Sequence, residues 1–116
     1  MITVARLKRR KEFILVARHG RKWAMPGLVL QSFNRQSSTE NSPLGVRVGF
    51  TVTKKIGTAV KRNRARRRLR AAAATVMQGI SEKNIDYVLI GRAGTVKRPF
   101  EFLVEDLKVA MKKLGA

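Results

Sequence analysis

The 116-residue chain has no cysteine and a single histidine, His19. The missing cysteine excludes a disulfide framework, a cysteine-based zinc site and a thiol nucleophile, and it makes a reducing compartment, the cytoplasm, the expected location. Acidic residues are scarce, 7 against 26 Lys and Arg, so the formal net charge is +19 at pH 7. Nothing approaches the roughly 18 consecutive apolar residues of a membrane span, and the charged stretch Arg6, Lys8, Arg9, Arg10 and Lys11 leads into no apolar segment of the signal-peptide kind. Neither secretion nor membrane insertion is expected. The few candidate acid–base groups are also badly placed. His19 is far in sequence from any acidic pair, adjacent Glu105 and Asp106 point apart on a helix, and Glu101 and Glu105 share a face with Lys108, which suits a solvated salt-bridge face. No metal-ligand spacing occurs. No catalytic residue and no metal site are therefore expected on the polypeptide.

A 44% hydrophobic content is enough for one ordinary core, and residues 1–116 are read as a single domain. The charge is uneven along it. Residues 1–70 carry 19 basic and 2 acidic side chains, a net of +17, whereas residues 71–116 carry 7 and 5, a net of +2. So basic a protein needs a partner of opposite charge: nucleic acid, an anionic membrane surface or an acidic protein.

Hydrophobic periodicity orders the elements. Residues Leu7 to Arg18 read as a helix, with Phe13, Ile14, Val16 and Ala17 toward a core and Gly20 as its stop. Lys22 to Met25 suit a short edge strand, because Pro26 cannot donate to a ladder. Leu28 to Phe33 form a second strand, and Asn34 to Pro43 a polar loop. Val46 to Thr53 alternate with period two, the pattern of a strand with one buried face. Thr58 caps a long helix to about Gln78, closed by Gly79. Ile85 to Gly91 contain so continuous an apolar run that the strand is expected at the sheet centre. Pro99 opens a last helix, on which Phe100, Leu103, Leu107, Ala110, Met111 and Leu114 recur at helical spacing. The expected fold is an α+β sandwich, with helices on a sheet of about four strands.

Lys54, Lys55, Lys61, Arg62, Arg64, Arg66, Arg67, Arg68 and Arg70 follow one another without a single acidic residue. Like charges at i+3 and i+4 destabilise a helix, and cations near its N-terminus oppose the macrodipole; a polyanion relieves both. The preference for Arg over Lys favours RNA, since guanidinium groups fork onto phosphates and stack on bases. On a wheel at 100° per residue from Val60, Ala65, Leu69, Ala72, Ala73 and Val76 fall between about 120° and 220°, the buried face. Arg62, Arg66 and Arg70 run along one margin at about 200° to 280°, beside Asn63 at about 300°, and Lys61, Arg64, Arg67 and Arg68 take the outer arc. One helix thus offers two basic edges, suited to two RNA segments.

The stretch from Gly49 through Thr53-Lys54-Lys55-Ile56-Gly57 and the Arg62-Asn63-Arg64 core to Arg70 closely resembles the signature of the bacterial ribonuclease P protein subunit. The resemblance extends to Leu7-Lys8-Arg9-Arg10-Lys11-Glu12-Phe13, His19-Gly20 and Asp86 to Ile90, nearly the whole chain. It implies an α-β-β-β-α-β-α fold similar to a ribosomal-protein domain, with a left-handed crossover that the residues themselves do not reveal. It also implies a holoenzyme in which a catalytic RNA subunit, with Mg2+ bound mainly by RNA, removes the 5′ leader from precursor tRNA. The protein then binds the leader in a cleft between the first helix and the sheet. By resemblance, Phe13, Thr51, Arg62, Asn63, Arg66 and Arg70 line that cleft, and Lys54, Lys55, Lys61, Arg64, Arg67 and Arg68 face the RNA subunit. Phe13 suits base stacking at roughly 1 to 3 kcal/mol, but its apolar neighbours equally suit a place in the core. Many family members carry aromatics where this chain has Ala17 and Gln31, which implies thinner leader stacking here and more reliance on phosphate contacts. The rival reading is a structural ribosomal RNA-binding protein; such proteins often carry their charge in extended tails, whereas here it sits on folded elements.

Overall fold

The computed structural model describes residues 5–35, 45–77 and 84–115; most of the expected polar loop, and Gln78 and Gly79, lie outside them. Strand β3 (Leu28–Asn34) lies between β2 (Arg21–Ala24) and β5 (Ile85–Gly91), antiparallel to both. On its other side β5 pairs in parallel with β4 (Arg47–Thr51), so the apolar run is central, as its composition implies. A two-residue strand, β1 (Ala5–Arg6), extends the sheet beyond β4, giving the order β1-β4-β5-β3-β2. It pairs with Arg47 and Val48, and among the described residues no strand lies beside the Gly49–Thr51 half of β4 on that side.

Among the described residues, four α-helices accompany the sheet: α1 (Arg10–His19), α2 (Ala59–Val76), α3 (Ala93–Lys97) and α4 (Phe100–Lys113). The start of α1 falls later than Leu7 because Leu7 is still held by the sheet, its N–H donating to Val48 O at 2.9 Å. Successive residues of β5 serve opposite faces. Tyr87 and Leu89 join Leu28, Leu30 and Val48 in a core closed by Leu69, Ala72 and Ala73 of α2 and Leu103, Leu107 and Ala110 of α4. Val88 turns the other way to meet Leu7 and Val16, with Phe13, Phe33 and Ile90 half-buried around them. Both faces of β5 are covered, which is why its sequence does not alternate.

Some expected core positions lie at the surface. Ile14 and Ala17 of α1 are exposed because one turn of that helix, centred on Val16, suffices to cover the sheet. Phe100 sits at the first position of α4 and is 38% exposed. The short helix α3 was not foreseen. It is held by buried Thr95, whose hydroxyl accepts from Arg92 N–H (2.8 Å) and donates to Gly27 O (2.5 Å). Asp106 accepts from Gly27 N–H at 2.9 Å and pairs with Arg98 at 2.7 Å, fastening α4 to the same turn. No helix among the described residues is long and apolar enough to cross a membrane.

On the α1 side of the sheet lies an ion network. Asp86 of β5, with no exposed surface, is bound by Arg35 at 2.8 Å and by both ends of the Arg47 fork, at 2.8 and 2.7 Å. Arg47 also reaches Glu12 of α1, whose other oxygen accepts from Arg9 N–H at 3.0 Å and so caps that helix. Donating to the Asp86 carboxylate chiefly raises the Arg47 pKa, while burial lowers that of Arg35. Burial alone disfavours charge on Glu12, but the Arg9 N–H and the Arg47 guanidinium outweigh it and hold the carboxyl below its ordinary value.

Removing one partner from such a network strands the others, so Arg47→Met should destabilise the fold by about 3 kcal/mol in urea titrations. Glu12 contributes stability in full above its unfolded pKa of about 4.3, and the contribution is lost as pH falls through its lower folded value. Glu12→Gln should therefore flatten the loss of stability between about pH 6 and pH 3, and an unchanged slope would remove Glu12 from the network.

Candidate nucleic-acid interface

A single 3₁₀ turn, Lys54–Ile56, leads from β4 to Gly57, whose φ of 134° lies where only glycine is unstrained. Thr58 then caps α2, its Oγ1 accepting from Lys61 N–H at 3.3 Å. The buried face of α2 is Ala65, Leu69, Ala72 and Ala73, three of them alanine, so the helix lies close to its neighbours. Arg62, Arg66 and Arg68 are half-buried along its margins, and Lys61, Asn63, Arg64, Arg67 and Arg70 are exposed. Among the described residues no ion pair involves α2, because Glu12, Asp86 and Asp106 are engaged by Arg47, Arg35 and Arg98.

A groove of about 390 Å3 runs between the start of α1 and α2, across the free half of β4, lined by Lys8, Arg10, Phe13, Phe50, Thr51, Val52 and Arg66. Phe13 occupies space that any side chain at position 49 would fill: a Cβ on Gly49 would stand 2.5 Å from its ring. The ring is half-buried and borders the groove while packing on the small cluster beneath α1. Phe50 approaches the groove from the edge of the main core, and the Arg6 guanidinium lies 5.9 Å from its ring centre.

Two further hollows flank α2. One, of about 550 Å3, is lined by Val60, Asn63, Arg66, Arg67 and Arg70, with Arg66 Nη1 donating to Asn63 Oδ1 at 3.2 Å. The other, of about 270 Å3, is lined by Arg64, Arg67, Arg68, Ala71 and Phe100.

Of the residues expected in the leader cleft, Phe13, Thr51 and Arg66 meet in the groove. Asn63 and Arg70 join Arg66 in the neighbouring hollow, while Arg62 lines none of the three. Of those expected on the second surface, Arg64, Arg67 and Arg68 gather at the third hollow, whereas Lys54, Lys55 and Lys61 are exposed around the start of α2. Arg68 has an internal duty: its Nε donates to Thr95 O at 2.7 Å and its Nη2 to Arg98 O, tying α2 to the last turn of α3 and the residue that follows it. Sequence reasoning missed Lys8, Arg10, Phe50 and Val52 as groove residues. Their signal was faint: two cations at the start of a helix, and two apolar residues flanking Thr51 on an alternating strand.

The chain matches the Ribonuclease P family over residues 1–115. It belongs to the ribonuclease P protein family. It is 50% identical over 111 residues to the ribonuclease P protein component of Paramagnetospirillum magneticum, covering 96% of this chain and 83% of that protein. With the component from Gluconacetobacter diazotrophicus it shares 51% identity over 110 residues, 95% of this chain and 90% of the other. The ribonuclease P proteins of Staphylococcus aureus and Thermotoga maritima, each 23% identical, have a similar fold, with TM-scores of 0.77 and 0.74. The alignments cover 97% of both chains in the first case, and 96% of this chain and 98% of the other in the second. The ribonuclease P protein is the protein component of a tRNA-processing endoribonuclease, so an RNA partner follows and the structural ribosomal alternative falls away.

The contact between Phe13 and Gly49 can be tested directly. Gly49→Ala should destabilise the protein by about 2 kcal/mol, as overpacking does. In a Phe13→Ala background the same substitution should cost less than half as much, and equal costs in the two backgrounds would refute the contact.

Proposed function

We propose that the groove between α1 and β4 binds the single-stranded 5′ leader of precursor tRNA, while the outward side of α2 binds the catalytic RNA subunit. The observation that carries this reading is the groove's lining: three cations, two phenylalanines and a hydroxyl, with no carboxylate. A single strand presents phosphates on its backbone and flat apolar bases, and these are the groups such a lining accommodates without specifying sequence. Lys8, Arg10 and Arg66 neutralise phosphates; Phe13 and Phe50 offer aromatic surface; Thr51 supplies a hydrogen bond to sugar or base. Ala17 on α1 is exposed and Gln31 on β3 half-buried, so neither adds a ring, and the charged rim carries a larger share of affinity.

The Mg2+ that the holoenzyme uses is assigned to RNA. A hard dication wants several oxygen ligands, and the groove offers it the Thr51 hydroxyl among three cations. Among the described residues no cluster of three His, Asp or Glu side chains forms elsewhere. The protein's own contribution is electrostatic and positional. It screens repulsion between two polyanions and holds the leader still beside the RNA that cleaves it.

Reconstituted RNA and protein should cleave precursor tRNA at lower magnesium than RNA alone, and no gain at low magnesium would overturn the reading. Arg66→Ala should weaken binding of leader-bearing precursor by about tenfold, as loss of a charged phosphate contact does, while leaving mature tRNA nearly unaffected. Equal losses on both substrates would remove Arg66 from the leader site. Arg70→Ala should act in the same direction, and Arg67→Ala should mainly weaken assembly with the RNA subunit.

A further inference from the structure

The hollow at Phe100 lies outside the leader groove and has a different composition. Arg64 and Arg67, which have no acidic partner among the described residues, stand one turn apart on α2, and Ala71 continues the same row. Across from them is Phe100 of α4, whose backbone is fixed by Pro99 immediately before the helix and by Leu103 N–H donating back to Pro99 O at 3.1 Å. Arg68 lies between the two helices, and its hydrogen bonds to Thr95 O and Arg98 O hold α2 and the α3–α4 junction at a set separation. Because Ala71 has no bulk beyond Cβ, about 270 Å3 stays open beside a ring that is 38% exposed. A large aromatic exposed next to unneutralised guanidinium groups is unfavourable in the isolated protein on both counts, desolvation of the ring being incomplete and the charges repelling.

We propose that this hollow is a stacking slot for one unpaired base of the catalytic RNA subunit, the base lying against Phe100 while Arg64 and Arg67 hold its flanking phosphates. The proposal rests on the assignment of the outward side of α2 to RNA and adds a specific point of contact on α4. Charge complementarity selects the occupant: a nucleotide brings an apolar face for the ring and anions for the arginines, whereas a second copy of this chain would bring a further net charge of +19.

Stacking and phosphate contact differ in salt dependence, which separates them experimentally. Phe100→Ala should weaken binding of the RNA subunit by about tenfold with the salt slope unchanged, whereas Arg67→Ala should reduce the slope by about one. Phe100→Tyr should bind as the wild type does, and Phe100→Leu should be as weak as Phe100→Ala. Phe102→Ala is the matched control, since Phe102 is 53% exposed on the same helix but lies under Arg98 and outside the hollow; it should bind normally. A direct readout comes from moving the sole tryptophan. In the Trp23→Phe, Phe100→Trp double variant, the RNA subunit should quench the fluorescence and mature tRNA should not.

Wild-type affinity in Phe100→Ala, or full rescue by Phe100→Leu, overturns the slot. If Arg66→Ala still discriminates leader-bearing from mature tRNA, the functional assignment stands without it. Unquenched fluorescence together with self-association that Phe100→Ala abolishes would give the hollow to a second copy of the chain and overturn the proposal. A wild-type protein with no affinity for the RNA subunit would overturn both readings.

Discussion

The clamp on Asp86 is the constraint on which the groove depends. A carboxylate with no access to water is costly unless its lone pairs are met, and here two guanidinium groups meet them while a second carboxylate, Glu12, returns charge to Arg47. The members come from α1, β4, β5 and the residue after β3, so one network sets the register of the sheet and the position of the helix above it. The apolar cluster beneath α1 is small, centred on Leu7, Val16 and Val88. An ion pair is directional where apolar contact is not, and Glu12 lies next in sequence to Phe13. The clamp that places the helix therefore also places the ring over Gly49.

Placing carboxylates inside has a consequence outside. Glu12, Asp86 and Asp106 each satisfy an internal arginine, and Glu101 and Glu105 are exposed on α4, with no ion pair to the basic helix among the described residues. The cations of α2 are left to repel one another. What keeps α2 folded is its cap at Thr58, its alanine content and the burial of Leu69, a set sufficient for the helix but not for the comfort of its side chains. A partner that binds the folded form stabilises it by mass action, so RNA relieves in the complex the strain that the isolated domain tolerates.

Elements whose chemistry is local were legible in the sequence. Alternation marked β4, a doubly buried run marked β5, and Thr58 marked the start of α2 within a residue. Elements defined by tertiary contact were not. A two-residue β1 has no periodicity to detect, and α3 exists because Thr95 finds Gly27, 68 positions away. The same division runs through the site. The wheel placed Arg66 and Arg70 on one margin of α2, but it could not tell that Arg68 would turn inward to carbonyls of a neighbouring element, since carbonyls leave no mark on a sequence. Lys8 and Arg10 join the groove only because α1 is clamped where it is, and Phe100 continues the apolar period of α4 yet stays exposed at its first position.

The division of α2 into an inner and an outer edge also takes a different form in three dimensions. Arg66 borders both the groove at Phe13 and the hollow with Asn63, and Arg67 borders that hollow and the one at Phe100. Adjacent residues on a helix point about 100° apart, so neighbouring arginines serve separate surfaces through a backbone too short between them to flex. If one surface holds the leader and the other the RNA subunit, the distance between the two RNAs is set by the width of a single helix. A rigid spacer of that kind needs no domain motion to bring substrate to catalyst. The helix must keep its rotation about its own axis, and the bonds from Arg68 to the α3–α4 junction are placed to prevent it from rolling. If α2 meets RNA on both edges, an arginine that binds the protein's own backbone is as necessary to recognition as those that face outward.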